Sequence, residues 1–274
     1  MKIGYQGVSG AFSEMAVRQH FKDTQYEEVS FSDFPEMFAA VDEGKIDYAL
    51  FPVENTTTGI IARTYDLFQY YDVSVVGEVN VPIRENLIIL PAAELKDIRE
   101  VYSHPEALSQ CRNFFRQYPQ LKPVVYEDTA LSVRYIRELN DPSKAALASL
   151  RAAEVHQMKV LLESVQDNTL NMTRFFVVGK QPEEREDNDK ISIRMVLSHT
   201  PGALYNALGL FASKQINVVK VESRPIIGKV FEYCFYLDFT GNMGDPDVRE
   251  TLRRLEYDCR DLMILGNYRA ASRP

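Results

Sequence analysis

The chain has 274 residues, a formal net charge of −8 at pH 7 and a hydrophobic content of 45%. This length and apolar content are sufficient for two domains, each with its own core. The acidic balance, without any run of lysine and arginine, disfavours nucleic acid and anionic membrane surfaces as partners. We expect a small-molecule ligand instead.

The cysteines Cys111, Cys234 and Cys259 are far apart and form no C-x-x-C pair. This pattern predicts neither a disulfide framework nor a thiolate metal site. The N-terminus lacks the apolar segment of a secretion signal, and no later run reaches the length of a membrane span. We therefore expect a cytoplasmic protein with reduced cysteines.

The N-terminal part of the chain alternates patterns typical of strands and helices. In chain order, the predicted elements are a strand at 2–6, a helix from about 13, a strand at 26–31, a helix at 34–41 and a strand at 48–53. The last strand is apolar almost throughout, which indicates burial on both faces of a sheet. This order predicts an α/β domain with parallel strands.

A strand-rich stretch from Val73 to Leu90 begins a second α/β lobe. Helices are predicted near Pro105 and Thr129, before strand character returns over residues 160–179. We predict a two-lobed catalytic domain with a ligand cleft between its lobes. The predicted bounds are 1–180 for the domain, 1–76 and 160–180 for lobe one, and 77–159 for lobe two.

The C-terminal third of the chain predicts a separate domain. Residues 181–190 carry almost no apolar side chain and are predicted to form a linker, because they cannot offset the entropy lost on ordering. Residues 191–274 then predict the order strand, helix, strand, strand, helix, strand. This βαββαβ order is that of a ferredoxin-like domain. Asp245 and Pro246 are suited to begin its second helix, as N-cap and first-turn proline.

Three glycines, Gly4, Gly7 and Gly10, mark the segment that leads from the first predicted strand into the first helix. Backbone amides at such a turn can receive an anion. Their spacing differs from the dinucleotide fingerprint and from a Walker loop, so nucleotide binding is not predicted. The alternative is that the glycines serve only a tight turn.

Polar side chains follow the buried strand at Glu54, Asn55 and Thr56. They lie beyond the carboxyl end of the strand, where α/β sheets present ligands. The alternative is structural, because Asn55 and Thr56 are also suited to cap a helix beginning near Ile60.

A similar arrangement is predicted in lobe two, with Ser103 at a strand end and Gln110 on the next helix. His104 is a candidate acid or base, but the four histidines have no metal-ligand spacing. Thr173 and Arg174 precede a strand and combine a hydroxyl with a guanidinium, which suits an anionic substrate. No Ser/His/Asp or Cys/His arrangement has a recognisable spacing.

In the C-terminal domain, Gly202 to Leu204 opens the first helix, and Asn217 to Pro225 covers the second strand and a turn. Glu222, Arg224 and the helix N-terminus suit the ammonium and carboxylate groups of an amino acid. The alternative is a surface ion pair beside a turn proline.

Taken in order, these segments resemble the prephenate dehydratase family, to which the arogenate dehydratases are related, over nearly the whole chain. The matching segments are Gly7–Ser13, Pro52–Gly59, Ser103–Cys111, Asn171–Phe175 and, similar to motifs of an ACT domain, Gly202–Leu204 and Glu222–Pro225. Val8, Ala11, Thr56 and Glu106 depart from the usual residues of the family. The sequence from Gly7 to Ala11 is similar to that of plant arogenate dehydratases, which leaves open whether the substrate is prephenate or arogenate.

The resemblance implies the conversion of prephenate to phenylpyruvate, with loss of CO₂ and a ring hydroxyl, without cofactor or metal. It also implies a catalytic domain resembling periplasmic-binding-protein architecture. The implied site residues are Thr173 as donor to the leaving hydroxyl, Arg174, Asn55 and Ser103 as anchors, Glu54 and Gln110 for orientation, and Gly7, Thr56 and Phe175 as further substrate contacts. Should Thr173 not be the donor, Glu54 and His104 are the next acid candidates.

The resemblance to ACT domains implies that L-phenylalanine binds as an allosteric effector at a subunit interface of a homodimer or homotetramer. The implied regulatory residues are Gly202, Ala203, Leu204, Asn217, Glu222, Ser223, Arg224 and Pro225. Two alternatives stay open, an arogenate dehydratase and a non-catalytic amino-acid-sensing binding protein, because fold alone does not establish catalysis.

Overall fold

The computed structural model describes residues 1–226 and 228–272. Their helices and strands alternate, which confirms the predicted α/β class. The elements of the first half are β1 (Lys2–Gln6), α1 (Phe12–His20), β2 (Glu27–Phe31), α2 (Phe34–Asp42), β3 (Tyr48–Asn55), β4 (Gly59–Ile60), α3 (Ala62–Leu67), β5 (Ser74–Pro82), β6 (Asn86–Ile89), β7 (Glu100–Ser103), α4 (Pro105–Ser109), α5 (Arg112–Gln117) and β8 (Lys122–Val125).

The second half completes the fold and contains the predicted βαββαβ order. Its elements are α6 (Thr129–Leu139), β9 (Lys144–Ala148), α7 (Leu150–Val155), β10 (Lys159–Leu162), β11 (Met172–Gly179), β12 (Lys190–Val196), α8 (Ala203–Ser213), β13 (Val218–Pro225), β14 (Tyr233–Thr240), α9 (Pro246–Asp258) and β15 (Asp261–Tyr268). The last six elements confirm the ferredoxin-like arrangement. Asp245 caps α9 by accepting a hydrogen bond from Asp247 N at 2.8 Å, as predicted.

The strands form three sheets. The first has the order β2-β1-β3-β11-β5, with β4 paired to β3, and β1 runs parallel to β2. The second has the order β10-β6-β9-β7-β8 and is mixed, since β7 is parallel to both neighbours while β6 is antiparallel to its own. The third is antiparallel, in the order β13-β14-β12-β15.

The chain packs into two compact units. Unit 1 comprises residues 1–37, 49–61 and 80–175, and unit 2 comprises residues 38–48, 62–79 and those from 176 onward. Unit 2 therefore contains the βαββαβ domain together with α3 and most of β5. The domain bounds expected from the sequence, with a linker at 181–190, stay a prediction.

The core of unit 1 lies on both faces of the second sheet. Successive side chains of a strand point to opposite faces. Leu87 accordingly packs with Val101 and Leu147, whereas Ile88 packs with Val133 and Ala146 in a second cluster. Because both faces are covered, β6 is buried at every position and β9 at every position after Lys144.

The core of unit 2 lies on one face of the third sheet. Ile191, Ile193 and Met195 alternate along β12 and are fully buried, together with Phe211 of α8 and Leu255 of α9. Burial of each such side chain contributes about 1.5–3 kcal/mol.

The other face of β12 is polar but also buried. Lys190 Nζ donates to Glu78 Oε2 of β5 at 2.8 Å, and Ser192 Oγ donates to Asp238 Oδ1 at 2.6 Å. Gly266 of β15 lies against the same strand β5, since a Cβ atom added there would stand 2.0 Å from Val75 O. Only glycine permits so close an approach of two backbones.

Candidate functional site

A cavity of about 620 Å³ opens in unit 1. Its wall combines the glycine turn after β1 with the carboxyl ends of β2 and β3, the first half of β11 and the N-terminal turns of α4 and α6. The residues that line it are Gln6, Gly7, Val8, Ala11, Phe12, Ser13, Ser30, Phe31, Ser32, Pro52, Asn55, Thr58, Ile61, Ile83, Glu85, His104, Glu106, Ala107, Gln110, Glu127, Asp128, Thr129, Leu131, Thr173 and Phe175.

A chain of amide hydrogen bonds joins three distant segments at this wall. Asn55 Nδ2 donates to Asn171 Oδ1 at 2.8 Å and to Thr173 Oγ1 at 2.9 Å. Asn171 Nδ2 in turn donates to Gln110 Oε1 at 2.8 Å. Because Thr173 Oγ1 accepts from Asn55, its own proton is directed elsewhere and is available to a molecule in the cavity.

Asn55 also organises the turn that follows β3. Its Oδ1 accepts from Thr57 N at 2.9 Å and from Thr58 N at 3.0 Å. The predicted helix begins at Ala62, after β4, and Asn55 accepts from none of its amides, so the helix-capping alternative for Asn55 is wrong. The physical reason is that the amide side chain stabilises the turn locally, which leaves the chain free to return as an antiparallel strand.

Glu54, Arg174 and Thr56 lie outside the lining of the cavity. Arg174 alternates with the lining residues Thr173 and Phe175 along β11, so its side chain points to the other face of the sheet, and Glu54 of β3 is its partner. They form an ion pair with 2.9 Å between Arg174 Nη2 and Glu54 Oε2. Thr56 connects the two strands, because its backbone N donates to Met172 O at 2.9 Å.

Ser103 is fully buried at the end of β7 and also lies outside the lining. Its hydroxyl donates to Leu147 O at 2.7 Å, which ties β7 to β9. His104 follows it and lines the cavity as the N-cap of α4, where its Nδ1 accepts from Glu106 N at 3.2 Å. The substrate-anchoring roles that the family resemblance implies for Ser103 and Arg174 stay predictions.

The glycine turn after β1 binds the buried carboxylate of Glu14. Gly10 has a φ of +98°, and a Cβ atom there would stand 2.7 Å from Ala152 Cα. Its N–H donates to the buried carboxylate of Glu14, which also pairs with Arg18 Nε at 2.8 Å and Arg151 Nε at 3.2 Å. Although burial acts to raise it, these hydrogen bonds and cations hold the pKa of Glu14 below its usual range. The amides of Gly10 and Gly7 are thus both committed within the chain, since Gly7 N donates to Phe31 O at 2.9 Å, although Gly7 also lines the cavity.

One buried carboxyl group, that of Glu85, lines the cavity outside every predicted motif. Glu85 lies between β5 and β6 and is 2% exposed. Burial, reinforced by the negative charge of Asp128, raises the pKa of Glu85 to about 8. The side chain is therefore mainly neutral at neutral pH. Neither Glu85 nor Asn171 was predicted as a site residue, although Asn171 lies in a recognised segment.

The predicted regulatory residues of unit 2 fall in two places. A cavity of about 430 Å³ is lined by residues 197–201, by Ala203 and Leu204 of α8, and by Glu232, Tyr233 and Phe235 near β14. Gly202, with a φ of +82°, is the N-cap of α8. The structure therefore brings Ala203 and Leu204 of the regulatory set to this cavity.

The remaining regulatory residues lie on or beside the edge strand β13, outside the lining. These are Asn217, Glu222, Ser223, Arg224 and Pro225. Arg224 Nη2 pairs with Asp66 Oδ2 of α3 at 2.9 Å, and Asn217 O accepts from Thr240 N at 2.9 Å.

No helix of residues 1–226 and 228–272 has the length and apolar character needed to cross a membrane. The fold is that of an α/β protein with a cavity of small-molecule size, and residues 191–257 match the model of an ACT domain. The chain belongs to the prephenate dehydratase family, whose model, described as "Prephenate dehydratase", matches residues 3–183.

Three similar proteins illustrate this membership. A relative from Arabidopsis thaliana, described as arogenate dehydratase/prephenate dehydratase 2, chloroplastic, is 36% identical over 279 residues and is matched over 98% of this chain and 72% of its own. The structure of a prephenate dehydratase from Arthrobacter aurescens in complex with L-Phe has a TM-score of 0.89 and 29% identity, covering 98% of this chain and 90% of that one. A structure described as a novel type of quorum quenching acylase has a TM-score of 0.90 and 29% identity, covering 98% of both chains.

Proposed function

We propose that this chain converts prephenate to phenylpyruvate, with loss of CO₂ and of the ring hydroxyl, and that L-phenylalanine regulates it through the C-terminal domain. The observation that carries the proposal is the hydrogen-bonded group Asn55, Asn171, Gln110 and Thr173 at the wall of one cavity, in a chain that belongs to the prephenate dehydratase family. Formation of an aromatic ring supplies the driving force. The protein has to bind the substrate, stabilise the charge that develops on the departing oxygen and exclude water.

Thr173 is assigned to the leaving hydroxyl. Its oxygen accepts from Asn55, so its O–H can donate a hydrogen bond to the departing oxygen as charge develops. The amide groups of Asn55 and Gln110 fix this orientation through Asn171. Loss of one such donor costs about 10²-fold or more in rate.

The remaining predicted residues support this wall from outside the lining. The Glu54–Arg174 ion pair and the Thr56 hydroxyl connect β3 with β11 on either side of Asn55 and Thr173. We assign them positioning roles, along with Ser103. Gly7 and Phe175 line the cavity and are assigned to substrate contact.

The test is turnover of prephenate by the purified full chain, followed as phenylpyruvate absorbance, with arogenate assayed in parallel. Thr173→Val keeps the shape of the side chain and removes the hydroxyl, and we expect a loss of about 10²-fold in kcat. Thr24→Val, at an exposed threonine outside the lining, is the matched control. Normal turnover by a folded Thr173→Val variant would contradict the assignment, and absence of turnover with both substrates would favour a non-catalytic sensor.

Regulation is proposed to start at the cavity beside Ala203 and Leu204, in a homodimer or homotetramer. The solved relative in complex with L-Phe and the match to the ACT domain support an amino-acid effector. The edge strand β13, whose Val219 and Val221 are each 43% exposed, is proposed to face a second subunit. An effector that favours one state typically contributes 1–3 kcal/mol of coupling, or about 5- to 150-fold in affinity.

The regulatory proposal is tested by titrating L-phenylalanine while recording both turnover and sedimentation. We expect inhibition together with a change in sedimentation, and Ala203→Leu, which adds a larger side chain to the cavity wall, should weaken both responses. A titration that leaves the rate and the sedimentation of the unaltered chain unchanged would refute regulation by phenylalanine.

A further inference from the structure

Glu85 is a buried carboxyl at the cavity wall to which the proposed function gives no role. Its backbone is held on both sides, because Glu85 N donates to Gln166 Oε1 at 3.0 Å and Glu85 O accepts from Val165 N at 2.8 Å. The next residue, Asn86, is fixed by its Nδ2 donating to Ala148 O at 3.0 Å. The backbone that carries this carboxyl is therefore fixed, and Glu85 belongs to the same lining as Asn55 and Thr173.

The Glu85 side chain has an oxygen that no described residue satisfies. Oε2 is buried and makes no hydrogen bond to any of residues 1–226 and 228–272. A buried polar group without a partner costs about 1–3 kcal/mol. Such groups are commonly kept where a ligand completes the hydrogen bond, and here the group borders a cavity.

The surroundings of Glu85 favour its neutral form. Asp128 and Glu127 face the cavity from the start of α6, and His104 and Glu106 face it from the start of α4. The Cys111 thiol lies near enough for Glu85 to contribute to raising its pKa, which burial raises most. The described lining of the cavity contains no lysine or arginine. Prephenate carries two carboxylates, so its binding would favour the neutral form of Glu85 further.

Departure of the ring hydroxyl requires a proton, and the other candidates are poorly suited to supply it. The Thr173 hydroxyl donates a hydrogen bond but is too weak an acid to lose its proton near neutral pH. Glu54 lies outside the lining and pairs with Arg174, and the Nδ1 atom of His104 accepts a hydrogen bond from the Glu106 amide, so that nitrogen carries no proton to give. A neutral carboxyl in a buried wall is a stronger acid than a hydroxyl and is protonated before the reaction begins.

We propose that Glu85 is the general acid of the reaction, an inference that rests on the proposed function. As the bond between the ring and its carboxylate breaks, the electron pair of that bond enters the ring and CO₂ departs. The ring carbon–oxygen bond breaks with its electrons on the oxygen, which takes the proton of Glu85 and leaves as water. Glu85 is left as a carboxylate and regains its proton from solvent before the next turnover, so atoms and charge balance.

The test compares pH–rate profiles of the unaltered chain and Glu85→Gln with prephenate as substrate. Glutamine keeps the shape and a hydrogen-bond donor but has no proton to transfer. We expect kcat to fall by about 10²- to 10⁴-fold with little change in KM. The kcat/KM of the unaltered chain should fall above about pH 8, where the free protein loses the Glu85 proton, and the variant should lack this alkaline limb. Glu163→Gln, at an exposed glutamate outside the lining, should keep the limb and the rate.

A second readout does not depend on turnover. We expect the infrared spectrum of the unaltered chain at neutral pH to contain the carbonyl band of a neutral carboxylic acid. Subtracting the spectrum of Glu85→Gln should reveal this band, whereas subtracting that of Glu163→Gln should not. Absence of the band from the unaltered chain would overturn the proposal. So would a Glu85→Gln variant that keeps the normal kcat and its alkaline limb.

The outcomes separate this inference from the proposed function. If prephenate is turned over normally by Glu85→Gln, only the role of Glu85 is refuted. If the variant loses turnover of arogenate but gains it with prephenate, Glu85 acts as a charged partner for the substrate ammonium, and the proposal is wrong. If the unaltered chain converts neither substrate, the proposed function and the role of Glu85 are both refuted.

Discussion

Replacing Glu85 by glutamine should change how the stability of the protein depends on pH. The pKa of Glu85 is raised from 4.5 to about 8, first by burial and then by Asp128. The folded state therefore holds this proton more tightly than the unfolded state does. The resulting stabilisation is complete below pH 4.5 and is lost as the pH rises towards 8.

The size of this effect follows from linkage. Each pH unit between 4.5 and about 8 costs about 1.4 kcal/mol, so the free energy of unfolding falls by about 5 kcal/mol across this interval. Glutamine does not ionise. The Glu85→Gln variant should match the unaltered chain below pH 4.5 and exceed its stability by several kcal/mol above pH 8.

Urea unfolding across this pH range measures the difference directly. Other ionisable groups are common to both chains, so their contributions cancel when the two curves are subtracted. Glu163→Gln serves as the control, and its curve should run parallel to that of the unaltered chain. Parallel curves for Glu85→Gln would refute the reasoning, since they would mean that Glu85 ionises alike in the folded and unfolded states.

Three further substitutions test the packing. Gly10→Ala should cost about 3 kcal/mol or more in thermal unfolding, because a side chain at a φ of +98° would also meet the backbone of Ala152; a loss below 1 kcal/mol would contradict this. Glu78→Gln leaves the buried Lys190 ammonium without its carboxylate and should lower the free energy of unfolding by about 3–5 kcal/mol. Replacing both residues by apolar ones should restore much of the lost stability. Asp245→Ala removes the N-cap of α9 and should lower the free energy of unfolding, measured with urea, by about 1 kcal/mol. An alanine substitution at an exposed position within the same helix should leave that free energy unchanged.

Local signals explain which parts of the fold were predicted. The βαββαβ order follows from apolar periodicity, and the start of α9 follows from Asp245 and Pro246, which lie next to each other in the sequence. Strand alternation alone also separates Arg174 from Thr173 and Phe175, because neighbouring residues of a strand face opposite sides. The orientation of Arg174 away from the cavity was therefore available from the sequence.

The rest of the site depends on contacts between distant segments. Glu85 belongs to no motif, and its burial depends on the segment around Gln166, 81 positions further along the chain. Asn55, Asn171 and Gln110 lie in three segments whose meeting depends on sheet order rather than on local pattern. Composition and periodicity carry no information on contacts between distant segments. The sequence alone therefore does not distinguish a buried glutamate in a loop, such as Glu85, from an exposed one.

The amide chain that runs from Gln110 through Asn171 to Asn55 has a consequence for experiments on this protein. Amide side chains neither gain nor lose a proton between mild acid and mild alkali. The three amide side chains that orient Thr173 are consequently insensitive to pH. Their hydrogen-bonded geometry should be the same at every pH at which the protein is folded. Any change of rate with pH should therefore report the ionisation of a few carboxyl and imidazole groups and not a change in this hydrogen-bonded scaffold.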